Sequence, residues 1–469
     1  MKEGFFIGGG FIFVGLLLEQ SVGPVAWDAF RWPANGLALT GLIGVIATIC
    51  VMRKKMPWFK LMSSYNAAVP ALVFAVALTV IMGLTRQTDE GGTWLNDMLT
   101  FWPFVLIYVY IALILGCVLM KQLLTWSAAH FSFSSLGYSL LFHFGLFLSL
   151  TTATLGSADR QCLKMIAVKG TSEWRAFDRN GQVRDLPIAI ELKEFVMETY
   201  DSGAPKRYAS DIQVQTKTGQ KVRTVVEVNK PARLGGWTIY QYDYDTEMGA
   251  KSRYSVLELV RDPWLPLVYV GILMMLVGAV CLFVLALPWR GLSGQIRKNP
   301  KGALGMAVLI GTCLFCVHHF MPILHSKTLV PALQSPWFVP HIIAYMVAYA
   351  LLGAAALMAV WILLKNKVEA LSLNNLVYMG LAFMTIGMLL GALWAQDAWG
   401  HYWAWDPKET WAVITWFSYL VYVHYRHMPA HRPKFALWML IVSFLLLQMC
   451  WWGIKYLPSA QGASVHVYS

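Results

Sequence analysis

The sequence predicts a polytopic α-helical membrane protein with about eleven transmembrane helices and one small, mostly β extracytoplasmic domain. Three observations predict this fold class. Of 469 residues, 57% are hydrophobic and 13% are charged, whereas soluble globular proteins are typically about 25% charged. The apolar residues form windows of about 20, the length needed to cross a bilayer. The longest interruption, residues 156–263, is polar and alternates in hydrophobicity.

Eleven apolar windows are long enough to be membrane spans. They are predicted at residues 4–20, 34–52, 67–84, 100–120, 132–155, 264–287, 302–320, 341–364, 371–394, 407–426 and 435–455. The amino-terminal segment has a short charged head, but no small-residue cleavage site follows its apolar run. Since a secretory signal peptide would need that site, we expect the first span to be retained.

The basic residues predict the orientation of these spans. They concentrate in four loops that an eleven-span topology places on one side, namely 53–60, 290–301, 365–367 and 426–434. Positively charged loops usually stay in the cytoplasm, so the amino terminus is predicted to be cytoplasmic and the carboxyl terminus extracytoplasmic. The formal net charge of +12 is spread over these loops. The predicted partner is therefore membrane lipid and not nucleic acid.

The polar segment 156–263 is predicted to form one small extracytoplasmic domain. Ile188, Ile190 and Leu192 alternate with other residues, as in a strand with one buried face. Turn signals recur at 201–203, 218–219 and 235–236. Short antiparallel strands are therefore expected, and the segment offers no catalytic constellation.

The seven cysteines do not predict a disulfide framework. Five lie within apolar windows, and only Cys162 is clearly in a polar segment. Cys313 and Cys316 form a CxxC pair that is followed by two histidines, which invites a redox or metal site. These residues lie within the predicted seventh span, where cysteine behaves as a small hydrophobic residue. We therefore favour a structural role for the pair.

The most unusual stretch is WAQDAWGHYWAWDPKETW, residues 394–411, with five tryptophans in eighteen residues. An aromatic belt at a membrane interface does not need so many, so the cluster favours a flat stacking surface on an outer loop. His401, within it, is a further candidate for contact with a ligand. Asp406, Pro407 and Glu409 have the spacing of a helix cap, a first-turn proline and a capping-box glutamate, and they predict a helix start.

Four histidines lie where a membrane protein could hold a ligand. His143 lies inside the fifth span and His424 near the cytoplasmic end of the tenth, while His341 begins the eighth span and His466 lies near the chain's end. An ionisable residue within a span is a functional candidate, and a histidine bonded to a neighbouring helix is the alternative. At 1.5 Å per residue, His143 lies roughly 17 Å and His424 about 4 Å from the inner boundary. That difference in depth argues against the binding of one ligand by both His143 and His424.

WGHYWAWDPKETW resembles the tryptophan-rich WWD signature of the heme-handling protein superfamily of cytochrome c maturation. SKTLVPALQSPWFVPHIIAYMVAY around His341, TWFSYLVYVHYR with His424 and GASVHVYS with His466 resemble its CcsA branch. His143 in a span before the insert, with YASDIQV, VVEVNKPARLGGWTIYQYDYD and VLELVRDPWLPLVYVG, resembles the ResB (CcsB) partner. Together the two halves resemble a natural fusion of both subunits of the system II cytochrome c synthase.

The resemblance implies four regions. They are a five-span amino-terminal region 1–155 that is ResB-like from about residue 130, the β-rich domain 156–263, a return span with a basic cytoplasmic loop 264–300, and a CcsA-like heme-handling domain 301–469 that contains the tryptophan loop 394–411. The insert is shorter than is usual for the ResB family, and five spans precede it rather than three. The resemblance therefore assigns no role to the first four spans.

The resemblance also implies a function. The protein would transport heme across the bacterial cytoplasmic (inner) membrane and, as a holocytochrome c synthase, attach it through thioether bonds to the CxxCH motif of an apocytochrome c on the outer face. Heme b would be substrate and ligand, a thiol-reducing system would be a partner, and the reacting thiols would be the substrate's. The implied axial ligands are His143, His424, His341 and His466, and the implied heme-stacking residues are Trp399, Gly400, Trp403, Trp405 and Asp406.

Two other functions are compatible with the same residues. A heme exporter or chaperone would deliver heme without attaching it. A membrane electron-transfer subunit would hold structural b hemes with the same histidines. The chain itself has no CxxCH motif, so it is not predicted to be a c-type cytochrome.

Overall fold

A computed structural model of the chain describes residues 1–52, 55–87, 94–128, 135–286, 329–365 and 371–460, together with single positions between 304 and 315. The predicted seventh span at 302–320, most of the basic loop before it, the pair Cys313 and Cys316, and His466 lie outside the described residues.

Over these residues the chain forms eleven α-helices. They are α1 Lys2–Val22, α2 Ala34–Met52, α3 Pro57–Leu61, α4 Tyr65–Leu84, α5 Trp102–Ala128, α6 Ser135–Gly156, α7 Leu265–Ala286, α8 Phe338–Lys365, α9 Leu371–Trp399, α10 Pro407–Arg426 and α11 Pro433–Trp451. All except the short α3 coincide with a predicted span. Ten of the eleven predicted spans are therefore helices in the structure.

Eight helices in the described part of the chain are long and apolar enough to cross a membrane, and α7 contributes a shorter apolar stretch, Leu265–Cys281. The predicted class, a polytopic helical membrane protein, is confirmed.

α10 is not among those eight helices, although it has twenty residues and begins and ends where the tenth span was predicted. It packs against α4 and α11, and Tyr419 and Tyr422 are almost fully buried. Its polar residues Thr415 and Ser418 donate hydrogen bonds to backbone carbonyls of α10 itself. A helix enclosed by protein does not need the uniform apolarity that contact with lipid demands.

Residues 161–261 form one antiparallel sheet, which we call the β-domain. Its strands are β1 Gln161–Val168, β2 Ser172–Phe177, β3 Val183–Thr199, β4 Pro205–Thr216, β5 Lys221–Glu227, β6 Ala232–Leu234, β7 Trp237–Tyr244 and β8 Tyr254–Arg261. Their order in the sheet is β5-β4-β3-β2-β1-β8-β7-β6. The sheet joins the end of α6 to the start of α7.

Burial in the β-domain follows the predicted alternation. Ile188, Ile190 and Leu192 are buried on β3, and Val214 on β4 lies opposite Ile190. The three predicted turns separate β3 from β4, β4 from β5, and β6 from β7. β3 is longer than the short strands that were expected, with seventeen residues. Shifts in its register with β4 let so long a strand bend with the sheet.

The first four spans and the carboxyl-terminal half share one hydrophobic core. Its buried residues come from α2, α4, α5, α8, α9, α10 and α11, and α4 packs directly against α10. The spans that the resemblance left without a role therefore form part of the protein wall around the helix that carries His424.

A polar junction connects the start of α2 to the end of α6 and the start of α7. The carboxylate of Asp159 accepts hydrogen bonds from the backbone N–H of Trp32, the amide of Asn35 and the indole of Trp264, at 2.7–2.8 Å. One carboxylate thus fixes three helices at the base of the β-domain.

α6 and α7 approach each other at glycines. A Cβ on Gly145 would lie 2.6 Å from Gly271 O, and a Cβ on Gly271 would lie 2.8 Å from Gly145 O. The two backbones are therefore in contact, with no room for a side chain between them. This contact holds α6, which carries His143, against the helix that leaves the β-domain.

Candidate functional site

His143 on α6 and His424 on α10 lie close enough for the charge of one imidazole to act on the other. We call these two residues the histidine pair. The predicted difference in depth does not separate them. Depths counted along straight, upright helices ignore tilt, which lets residues at different helical positions approach each other.

Both imidazoles of the histidine pair have the same tautomer. His143 Nδ1 lies 2.7 Å from Ser139 O, and His424 Nδ1 lies 2.8 Å from Leu420 O. Because a carbonyl only accepts, each Nδ1 carries the proton and each Nε2 keeps a lone pair. Within the described residues, neither Nε2 has a hydrogen-bond partner. A histidine whose Nδ1 proton is held in this way is oriented to bind a metal through Nε2.

Side chains from the first spans surround the histidine pair. Gln122 on α5 donates to the Ser139 hydroxyl, which lies 3.2 Å from His143 Nδ1. Tyr65 on α4 meets the ring of His424 edge-on, with ring centroids 6.0 Å apart. Both imidazoles therefore have a neighbour, directly or through Ser139, from the part of the chain before residue 130.

The second candidate site lies at the β-domain end of the bundle, around His341 in the first turn of α8. His341 Nδ1 lies 2.8 Å from Gly387 O, so its Nδ1 also carries the proton. The ring packs against Tyr345 and Trp394, with centroids 5.0 and 5.8 Å away.

Two glycines on α9 make room for His341 and its neighbour. A Cβ on Gly391 would lie 2.7 Å from His341 Cε1, and a Cβ on Gly387 would lie 2.8 Å from a ring carbon of Tyr345. The glycines are four residues apart and so share one helix face. The segment GMLLG carries this spacing in the sequence, but neither glycine was among the predicted site residues.

An aromatic row continues from His341 towards the β-domain. Trp394 lies 5.2 Å from Trp399, and Trp399 stacks on His401 at 6.4 Å with an interplanar angle of 18°. The Trp394 indole donates to Ala332 O at 2.8 Å, which holds the row against the segment leading into α8. We call His341, Trp394, Trp399 and His401 the tryptophan site.

Trp403 and Trp405 have different neighbours. Their rings meet edge-on at 5.9 Å, and Trp405 packs against Phe104 and Tyr108 of α5 at 6.1 and 6.3 Å. Both line a cavity of about 1370 Å³ that α2, α5, α6 and the β-domain also bound, whereas Trp399 is not among the residues lining that cavity. The tryptophans expected to form one surface are thus divided between two neighbourhoods.

The tryptophan loop is shorter than the predicted 394–411. α9 continues to Trp399 because Trp394 and Ala398 are buried against Leu333 and Phe338, so only residues 400–406 connect α9 to α10. The predicted helix start is confirmed. Asp406 accepts from Glu409 N at 2.8 Å, and the Glu409 carboxylate accepts from the Asp406 backbone, which completes a capping box. Asp406 is the N-cap residue of α10.

Gly400 allows a close approach, as expected, but the group that approaches belongs to the β-domain. Gly400 has φ +74°, and a Cβ there would lie 3.0 Å from the Tyr240 ring and 3.1 Å from Val260. Arg160 donates to Gly400 O, and Gln396 donates to Tyr240 Oη, each at 2.9 Å. Nothing in the local sequence of the β-rich insert indicates contacts with a loop so distant in the chain. These contacts were therefore not predicted.

Among the described residues, no group of three or more His, Cys, Asp or Glu side chains could hold a bare metal ion. The histidine pair instead places two imidazoles within electrostatic range of each other. Two imidazoles suit an iron whose other four ligands come from a porphyrin.

Two family models match adjacent parts of the chain. Residues 121–252 match the ResB-like family, and residues 264–460 match the cytochrome C assembly protein family. His143 lies in the first match, and His341 and His424 lie in the second.

Several curated relatives of the chain are named as cytochrome c biogenesis proteins. A cytochrome c biogenesis protein CcsA of Chlamydomonas reinhardtii is 35% identical over 158 residues, covering 30% of this chain and 43% of the relative. CcsA of Helianthus annuus is 29% identical over 227 residues, covering 37% of this chain and 69% of the relative. CcsA of Parasynechococcus marenigrum is 30% identical over 182 residues, with 30% and 58% covered. The chain thus spans from under half to about two thirds of the length of these relatives.

Proposed function

Because the chain is a fusion of a ResB-like region with a cytochrome c assembly region of the CcsA type, as in system II cytochrome c maturation, we propose that it carries heme across a membrane and attaches it to an apocytochrome c. In this proposal it is a holocytochrome c synthase, and heme b is its substrate.

The observation that carries the proposal is the origin of the histidine pair. His143 comes from the ResB-like region and His424 from the cytochrome c assembly region, and their imidazoles lie within electrostatic range with both Nδ1 protons held by backbone carbonyls. One heme between them would need both regions. This gives a physical reason for the two regions to occur in one chain.

We assign the second heme position to the tryptophan site, with His341 and His466 as axial ligands. Trp399 would supply an apolar face to the macrocycle, and Trp403 and Trp405, on the cavity side of the loop, would supply apolar surface at the heme edge, with Gly400 and Asp406 shaping the loop. The cavity beside Trp403 and Trp405 is large enough for the CxxCH segment of an apocytochrome next to the heme edge.

For the attachment chemistry, this chain needs only to hold the substrate thiols and the heme vinyl groups in position. Each substrate thiol adds across one vinyl group of heme: sulfur bonds to one vinyl carbon, the hydrogen goes to the other, and nothing leaves. Holding thiol and vinyl together supplies much of the rate enhancement. The reacting cysteines must be reduced, and so we include a thiol-reducing system among the partners.

The proposed location is the bacterial cytoplasmic membrane, with the amino terminus in the cytoplasm and the tryptophan loop and carboxyl terminus outside. The regions are those proposed from the sequence, 1–155, 156–263, 264–300 and 301–469. In this orientation the histidine pair lies towards the cytoplasm and the tryptophan site lies at the outer face.

Coexpression with a CxxCH reporter in a host that lacks other maturation systems tests the proposal. We expect covalent heme on the reporter and only noncovalent heme on this chain. A reporter variant with both cysteines replaced by serine is the control. If the chain purifies with heme while the reporter stays heme-free, a heme exporter or an electron-transfer subunit is the better account.

A further inference from the structure

The β-domain holds the two chain segments that flank the tryptophan site. One is the segment 329–334, which leads into α8. Tyr200 Oη donates to Leu329 O at 3.0 Å, and Asn229 Nδ2 donates to Pro331 O at 2.8 Å. The β-domain therefore contacts the approach to His341.

The other segment is the end of α9. Gln396 is 3% exposed, and its Nε2 donates to Tyr240 Oη on β7 at 2.9 Å. Arg160, which immediately precedes β1, donates through Nη2 to Gly400 O at 2.9 Å. A side chain of the β-domain, Tyr240, and the residue just before the domain, Arg160, thus bond to positions 396 and 400, on either side of Trp399.

The fit at this contact is tight. A Cβ on Gly400 would lie 3.0 Å from the Tyr240 ring and 3.1 Å from Val260, closer than ordinary van der Waals contact, so a small shift of β7 towards the loop would press on the loop backbone. Burial raises the pKa of Tyr240, which keeps the phenol protonated at neutral pH. The hydrogen bond from Gln396 therefore has a neutral partner that does not titrate.

Trp399 is the residue through which this contact reaches the site. It packs on Trp394, which in turn packs on His341. A change in the position of the last turn of α9 would alter the ring stack beside the imidazole, although no residue of the β-domain belongs to that stack.

We infer that Tyr240 and Arg160 are positioning residues for the tryptophan site: they fix the place of Trp399 and of the loop after it, and thereby set the affinity of this site for heme. The inference rests on the proposed function of the same site. We assign Tyr240 and Arg160 no positioning role at the histidine pair.

Tyr240→Phe tests the inference, with Tyr242→Phe as the matched control. Both changes remove one phenol oxygen from β7, but the Tyr242 ring is exposed and faces Lys164. In the full-length chain without added heme, we expect amide hydrogen exchange at residues 396–406 to be about tenfold faster in Tyr240→Phe, because Gln396 loses its buried acceptor. Tyr242→Phe should match the wild type.

The second measurement is the dissociation rate of heme in a His143→Ala background, where only the tryptophan site would bind it. We expect Tyr240→Phe to raise this rate severalfold, and Arg160→Gln to do the same while Arg160→Lys restores part of the effect. A double-mutant cycle with Gln396→Met should be non-additive, since either change alone breaks the same hydrogen bond.

The two measurements separate failure of the inference from failure of the proposed function. If wild-type protein attaches heme but Tyr240→Phe equals Tyr242→Phe in hydrogen exchange or in heme dissociation, the inference is overturned and the function stands. If wild-type protein neither binds nor attaches heme, the function fails and the inference fails with it, while the exchange data still decide whether Tyr240 anchors the loop.

Discussion

The histidine pair and the tryptophan site use histidine in the same tautomer but hold it in different ways. In the pair, each imidazole is fixed by the carbonyl four residues earlier on its own helix. At the tryptophan site, His341 bonds to a carbonyl of another helix, sits over a glycine of that helix, and packs on a tryptophan that a third segment holds. The histidine pair therefore depends on the meeting of two helices, whereas the tryptophan site depends on contacts between distant parts of the chain.

The largest effect should come from the histidine pair. We expect His424→Ala to lower the heme retained by the purified protein and the covalent heme on a CxxCH reporter by at least about tenfold, because one of two axial ligands is lost. His431→Ala is a suitable control, since this histidine lies beyond the end of the helix, where its ring nitrogens contact Arg426 and Met428 O. Equal yields from the two variants would remove His424 from the site.

A substitution at a glycine, which is not itself a proposed ligand, should affect only the tryptophan site. Gly391→Ala places a methyl group 2.7 Å from the His341 ring. Overpacking of this kind typically costs about 1–3 kcal/mol, which corresponds to roughly fivefold to 150-fold, so we expect reporter attachment to fall by at least about fivefold while the heme spectrum of the histidine pair is unchanged. Gly41→Ala, in the open space beside α2, should leave both measurements as they are. Loss of heme from the pair in Gly391→Ala would show that the sites are not separate.

Asp406 should contribute more to stability than to heme binding. Asp406→Ala removes the cap of α10 and is expected to lower the free energy of unfolding by about 1 kcal/mol, measured by thermal or denaturant unfolding in detergent. Asp406→Asn keeps an oxygen acceptor and should lose only part of this. If Asp406→Ala instead abolishes attachment without lowering stability, then Asp406 acts on heme directly.

Cys162 should have the smallest effect, although it lines the cavity beside Trp403. Burial and the adjacent Glu258 carboxylate raise the pKa of this thiol to about 12, so at pH 8 the reactive thiolate is about 10⁻⁴ of the total. We expect slow alkylation at pH 8 that accelerates as pH rises above 10, and Cys162→Ser should change attachment by less than about twofold. Rapid labelling at pH 8 would mean that the thiol is not buried as described.

The sequence was most informative where structure depends on local chemistry. Apolar length predicted ten described helices, alternation predicted the buried face of β3, and the spacing of Asp406 and Glu409 predicted a helix cap. The positions of the spans singled out the four histidines, and the resemblance supplied their proposed role as heme ligands. GMLLG on α9 was an available signal for the close packing of His341.

The remaining features depend on tertiary contacts that no local pattern encodes. α9 runs on to Trp399 because residues near 333 and 338 bury its last turn. Gly400 faces Tyr240, about 160 positions earlier in the chain. The counted depths of His143 and His424 gave no indication that their imidazoles lie within electrostatic range of each other, because residue counting assumes upright helices. Each error arises from packing between segments that are distant in sequence.

We propose that one heme is bound by both His143, from the ResB-like region, and His424, from the cytochrome c assembly region. Electron paramagnetic resonance of the purified full-length chain in a His341→Ala background tests it most directly, because that background leaves only the histidine pair. We predict a low-spin ferric signal from two imidazole ligands that becomes high-spin or disappears in His143→Ala and in His424→Ala alike. A low-spin signal that survives either substitution would contradict the claim.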